Sequence, residues 1–182
     1  PNAKLEVING SLIEANYFSI STDATLQGGG LLYGGADIML KDSKFIAGET
    51  GFMTNVSPST VNIENCEFSG NHQAAFLRGG TYTIKNSSFT LKAELESTHS
   101  ENNHMKQWQD GNRAAFAGIT IGNYLSSAYQ YPTTVAMTGV TVKVEGTHAS
   151  SFPAVHVCAN ATEDKGVTLT YDTTCSFTST YD

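Results

Sequence analysis

The sequence predicts an all-β solenoid of about six coils. Two observations carry this: a motif that recurs along the chain, and a composition short of charge but rich in small polar residues. Only 15% of residues are charged, while Ser and Thr together number 39 and Gly 17. A chain so poor in charge could be disordered. However, 40% hydrophobic residues, with nine Phe and eight Tyr, suffice to bury a core. At 182 residues the chain fits a single domain spanning 1–182, or one segment of a larger surface protein.

The repeat is visible in five segments. They are Leu5-Glu6-Val7-Ile8-Asn9-Gly10-Ser11-Leu12, Ile38-Met39-Leu40-Lys41-Asp42-Ser43-Lys44-Phe45, Val61-Asn62-Ile63-Glu64-Asn65-Cys66-Glu67-Phe68, Tyr82-Thr83-Ile84-Lys85-Asn86-Ser87-Ser88-Phe89 and Val135-Ala136-Met137-Thr138-Gly139-Val140-Thr141-Val142. Each reads apolar, any, apolar, any, Asn/Asp/Gly, small, polar, apolar. Apolar residues two apart mark a strand with one buried face. Asn, Asp and Gly tolerate a left-handed backbone, so the strand bends there and a second strand follows. A sixth copy falls within 167–177, with its register open by one residue.

A second motif follows each first one: Tyr17-Phe18-Ser19-Ile20, Gly51-Phe52-Met53-Thr54, Ala75-Phe76-Leu77-Arg78, Ala115-Phe116-Ala117-Gly118 and Ala154-Val155-His156-Val157. It supplies a third strand per coil, with these aromatic positions aligned. The bend residues are 33, 23, 21 and 53 apart. The shortest intervals approximate a bare coil, and the 53-residue gap holds a long inserted loop. Lys41, Glu64 and Lys85 alternate in charge before the bend, as do Lys44 and Glu67 after it. Stacked in register, they would face each other across neighbouring strands. Asn9, Asp42, Asn65 and Asn86 would form a ladder at the bend, with Asp42 the member that might be expected to meet a cation.

These runs, above all 61–68 and 82–89, resemble coils of a right-handed parallel β-helix. That is the pectin-lyase-like superfold, shared by polysaccharide lyases, glycosidases and bacterial surface adhesins. The resemblance covers most of 4–178. It implies the handedness and a cross-section of three sheets, while the 53-residue gap places a long inserted loop near 93–113. It does not imply one function, because this superfold hosts many.

The residues themselves narrow the choice. A net charge of −7, with Arg78 and Arg113 the only arginines, argues against nucleic acid as a partner. No apolar run reaches the roughly 18 residues of a membrane helix. The start at Pro1 suggests a processed or trimmed chain. Cys66, Cys158 and Cys175 match no zinc spacing. Cys158 and Cys175 either pair or stay free, and Cys66 reads as a small core residue. Asn-x-Ser/Thr sequons at Asn9, Asn55, Asn86 and Asn160 are close to chance in so Asn- and Ser-rich a chain.

Enzymes of this superfold need converging acids with a base, or two carboxylates opposed across a groove. Here Asp37, Asp42, Glu49, Glu64 and Glu67 are scattered. Asn-Thr-Asp, Asp-Asp and Gly-His-Gly motifs are missing from the sequence. Arg78 reads as a turn arginine beside Gly79-Gly80. Threonine columns regular enough to bind ice appear interrupted by Lys, Glu and Ser.

The segment 99–113 is the strongest candidate binding element. It holds the only Trp, and an exposed Trp among amides suits sugar stacking or protein contact. Trp108, His104, Gln107, Asp110 and Arg113 are its candidate binding residues. The competing reading folds Trp108 down as a lid. Tyr124, Tyr129 and Tyr131 would flank the same edge. The expected function is a non-catalytic extracellular or cell-surface β-helix. Its partner would be a polysaccharide or a host or cell-surface glycoprotein, and no cofactor or metal is expected. The alternative is a polysaccharide lyase or glycoside hydrolase with a divergent site.

Overall fold

In a computed structural model, the described residues are 3–16, 18–21, 36–54, 58–94, 105–107, 113–122, 132–158 and 166–181. They form a parallel β-helix solenoid. The first coil contributes β1 (Ala3–Val7), β2 (Leu12–Ala15) and β3 (Phe18–Ser21). The second contributes β4 (Ala36–Lys41), β5 (Lys44–Ala47) and β6 (Thr50–Met53). The third has β7 (Thr60–Glu64), β8 (Glu67–Gly70) and β9 (Gln73–Leu77). The fourth has β10 (Gly80–Lys85), β11 (Ser88–Lys92), an inserted pair β12 (Met105–Gln107) and β13 (Arg113–Ala115), and β14 (Ala117–Ile121). The fifth has β15 (Thr133–Thr138), β16 (Thr141–Glu145) and β17 (Val155–Val157), and the sixth β18 (Val167–Tyr171) and β19 (Ser176–Thr178).

Equivalent strands stack into three parallel sheets. The first runs β1-β4-β7-β10-β15-β18, the second β2-β5-β8-β11-β16-β19 and the third β3-β6-β9-β14-β17. Six strands at about 4.8 Å spacing make a stack about 24 Å long.

The bend between the first two sheets follows the sequence pattern. Asn9, Asp42, Asn65 and Asn86 all have positive φ, at 64°, 51°, 53° and 48°, and Gly139 continues the column at 63°. One side-chain rung of the expected ladder forms: Asn65 Nδ2 donates to Asp42 Oδ1 at 2.9 Å. The next column is small and polar for a local reason. Ser43 and Ser87 each donate to the carbonyl two residues back, at 2.7 Å, and Cys66 Sγ does the same at 3.3 Å. The charge columns pair in part, with Lys41–Glu64 at 3.4 Å and Lys44–Glu67 at 3.0 Å. Both pairs are about half exposed, so each contributes well under about 1 kcal/mol.

Two alignments differ from the sequence reading. Leu12 pairs with Lys44, and Ile13 with Phe45, although Val7 pairs with Leu40. The first bend is therefore one residue wider than the second. The last bend is widened in the same way: Met137 pairs with Tyr171, but Val142 pairs with Phe177. That extra residue resolves the open register of the sixth copy.

The third sheet differs too. Ile20, Phe52, Ala75, Ile119 and Val155 are the true equivalents, so Phe18, Phe52, Phe76 and Phe116 do not align. Gly51, Ala74 and Gly118 are skipped in the pairing, with the register unchanged on either side of them. A Cβ on Gly118 would lie 2.4 Å from Val142 Cγ1, inside the core, and 2.5 Å from the Ala154 carbonyl.

The core is a set of continuous columns. Phe45, Phe68 and Phe89 stack face to face, with centroids 4.7 and 4.8 Å apart and planes within 8°. Ile38, Val61, Tyr82 and Val135 form a neighbouring column in the first sheet, all buried. All three cysteines are free thiols, which answers the open question about Cys158 and Cys175. No helix among the described residues is long and apolar enough to cross a membrane.

On the outer face of the first sheet, Thr60, Thr81, Thr134 and Thr168 stand in register on four successive coils. This corrects the expectation of interrupted threonine columns, which compared positions near the bend. Asp37 and Lys4 end the column, and its neighbour mixes Glu6, Met39, Asn62, Thr83, Ala136 and Thr170.

Candidate functional site

The corner between the second and third sheets holds an open groove of about 400 Å3. Its lining includes Glu14, Asn16, Ile46, Ser69, Asn71 and Lys92. Glu14, Ile46 and Ser69 form one in-register column, which places the groove along the solenoid axis. Gly48 allows the chain to turn tightly here, because a Cβ would sit 2.1 Å from the Asn16 carbonyl. Asn71 Nδ2 donates to the Gly48 carbonyl at 2.9 Å, which fixes the amide. Glu14 belongs to the first coil and Lys92 to the fourth, about 14 Å apart by strand spacing. They are too distant to neutralise each other. Among the described residues neither joins an ion pair.

Lys92 is also where the fourth coil gives way to its insertion. β12 and β13 form an antiparallel hairpin within an otherwise parallel fold, pairing Met105 with Ala115, Lys106 with Ala114 and Gln107 with Arg113. Two residues expected from sequence to bind, Gln107 and Arg113, thus sit opposite each other at the end of the hairpin that leads into 108–112. Their side chains lie outside the described residues, and so do His104, Trp108 and Asp110 entirely. Tyr124, Tyr129 and Tyr131 also lie outside them.

The sequence reading missed a third feature. Every residue of β6, β9 and β14 is buried, whereas the first two sheets alternate buried and exposed. The third sheet is therefore covered on its outer face. Thr50 Oγ1 donates to Gln73 Oε1 at 2.7 Å, and both residues are fully buried. Met53 and Phe76 form a small cluster with Phe18, separate from the main core. His72 stacks on Phe116 at 4.4 Å, with its Nδ1 3.6 Å from Glu49 Oε2.

Arg78 lies in the corner turn between β9 and β10, as expected, but it is only 2% exposed. Its Nε donates to the Thr54 carbonyl at 3.1 Å, and its guanidinium lies 4.6 Å from the Phe76 ring centroid. The Thr54 and Tyr82 hydroxyls are bonded at 2.7 Å, and Tyr82 also donates to the Gly79 carbonyl at 2.5 Å. This network ties the third sheet to the first. One sequence signal marked it: 74–77 is apolar without alternation, the pattern of a strand buried on both faces.

A smaller groove of about 280 Å3 follows the bend, lined by residues that include Asn65, Glu67, Asn86, Ser88 and Thr141. Among the described residues, no group of three or more His, Cys, Asp or Glu could hold a metal ion. The chain matched no family model, no curated protein and no solved structure. Its class therefore rests on its own geometry: a parallel β-helix with an axial groove and an inserted hairpin at one corner.

Proposed function

We propose that this protein is a non-catalytic extracellular or cell-surface β-helix, pectin-lyase-like in build. It would bind a polysaccharide or a surface glycoprotein along the axial groove. The observation that carries this reading is the groove's position: it crosses the first four coils and reaches Lys92, the last residue of β11 before the insertion. An extended chain laid in it meets amides and hydroxyls from Asn16, Asn71 and Ser69, then Lys92. Its volume falls in the range of ligand clefts. Glu14 is the carboxylate of this lining, and an opposed pair would be needed for glycoside hydrolysis.

The test is binding of neutral and acidic oligosaccharides to the whole chain and to Asn71→Ala, Lys92→Ala and Trp108→Ala. Each substitution should weaken binding by about fivefold to tenfold, or about 1 to 1.4 kcal/mol, and Lys92→Ala should do so without shifting the melting temperature. Lys92→Ala should act most on acidic chains. Undiminished binding by all three variants would refute the site. Release of reducing ends or unsaturated products would refute the non-catalytic reading.

A further inference from the structure

The first bend holds the one Asn-Gly pair in the chain, Asn9-Gly10. We propose that Asn9 is a site of spontaneous covalent modification, converting to aspartate and isoaspartate through a succinimide. The Gly10 amide nitrogen gives up its proton to solvent and bonds to Cγ of Asn9. The Cγ–Nδ2 bond breaks and the side-chain nitrogen leaves as ammonia. Water then opens the ring at either carbonyl. One opening yields aspartate, and the other carries the main chain through the side-chain carboxyl as isoaspartate. No oxidant or second reactant is needed.

Four structural facts single out this bend from the others in its column. It is one residue wider than the bend it stacks on, so one of its residues has no counterpart in the second coil. Among the described residues, nothing accepts a hydrogen bond from the Gly10 N–H. A Cβ on Gly10 would meet nothing within 4 Å, so the attacking nitrogen is open to water and base. Asn9 and Gly10 are both exposed, on a coil that pairs with a neighbour on one side only among the described residues.

Attack requires rotation about the Asn9 Cα–C and Cα–Cβ bonds until the Gly10 nitrogen meets Cγ, and an end coil opens for this at lower cost than an interior one. The interior asparagines are held. Asn65 is bonded to Asp42, and the N–H that would attack it, that of Cys66, donates to Ser87 Oγ at 3.0 Å. The Asn86 amide lies against Gly139, and Ser87 after it is 3% exposed.

The product matters to the fold. Isoaspartate adds a backbone atom to a bend whose flanking strands are held in register by Val7–Leu40 and Leu12–Lys44. Aspartate at position 9 would set a carboxylate in the column that already holds Asp42. Either product loosens the first coil, which carries Leu5, Ile8 and Leu12 at 37%, 42% and 58% exposure.

Peptide mapping by mass spectrometry, with enzymatic methylation to count isoaspartate, measures conversion at each asparagine in the folded and urea-denatured chain. Using the folded-to-denatured rate ratio removes the intrinsic advantage of a following glycine. The ratio should be near one for Asn9, and about tenfold or more lower for Asn65 and Asn86. A ratio at Asn9 as low as at Asn65 would overturn the proposal, as would faster folded-state conversion at Asn86. Asn9→Gln should abolish the isoaspartate found in the peptide containing residues 9 and 10. Persistence of that isoaspartate would also overturn it.

Discussion

Asn65 is the position where the bend can be tested energetically, because strain and hydrogen bonding separate there. Its φ of 53° is left-handed, which costs an ordinary L-residue about 1 to 2 kcal/mol and asparagine or glycine much less. Its amide also donates to Asp42 at 2.9 Å, an exposed bond worth about 1 kcal/mol. Asn65→Ala loses both and should be destabilised by about 2 to 3 kcal/mol. Asn65→Gly loses the bond but not the left-handed freedom. With its extra unfolded-state entropy it should lose about 1.5 to 2 kcal/mol. Urea unfolding followed by far-UV circular dichroism gives the midpoints, and the slope should stay constant. Lys44→Ser serves as the surface control and should shift stability by less than about 0.5 kcal/mol. If Asn65→Ala is as stable as Asn65→Gly, left-handed strain does not shape the bend and the stacking argument fails.

Three further outcomes follow from the core. Phe68→Ala removes the middle ring of the stack between Phe45 and Phe89, and should cost about 3 to 5 kcal/mol in the same unfolding assay. Gly118→Ala forces a methyl against Val142 and the Ala154 carbonyl, and should cost about 1 to 3 kcal/mol despite being a small change. Burial raises the Tyr82 phenol pKa, against smaller opposing effects of Thr54 and Arg78, and burial likewise raises that of the Cys66 thiol. Both groups favour their neutral forms when folded. Their contribution is complete below the ordinary values of 9.0 and 10.0 and is lost as pH rises beyond them. Stability measured by urea titration should therefore fall above about pH 9, and Tyr82→Phe should flatten that fall while costing about 1 kcal/mol at neutral pH.

The coil pattern was legible because the bend imposes a chemical requirement. Only a few residue types accept positive φ, and Asn9, Asp42, Asn65, Asn86 and Gly139 mark it wherever the alternation breaks. The first bend was misaligned, and the register of the last stayed open, because an extra residue in a turn costs little and leaves no trace in the apolar spacing. The third sheet was misaligned because its phenylalanines do different jobs. Phe52 faces the main core, while Phe76 packs with Met53 in the cluster on the other side. Aromatic identity cannot distinguish those faces when both are buried. The same double burial hid Arg78, whose neighbours Gly79 and Gly80 suggest an exposed turn. The hairpin was anticipated as an insertion, but its strand pairing rests on chain positions with no repeat to compare against. The groove could not be read at all, since it is made by residues of four coils that have nothing in common but height along the axis.

The insertion in the fourth coil leaves no mark on the stack around it. β10 pairs with β15 over six consecutive residues and β11 with β16 over five, although 53 residues separate the partners. Each coil answers only to the coils above and below, so what happens in a connection stays in that connection. For a lineage, this decouples two kinds of selection. Substitutions, deletions and length changes within 95–112 can accumulate without disturbing the columns that fold the protein, while Ala93 and Phe116 on either side belong to the core. The corner can thus change its surface quickly while the scaffold stays old, and variation among related chains should concentrate there.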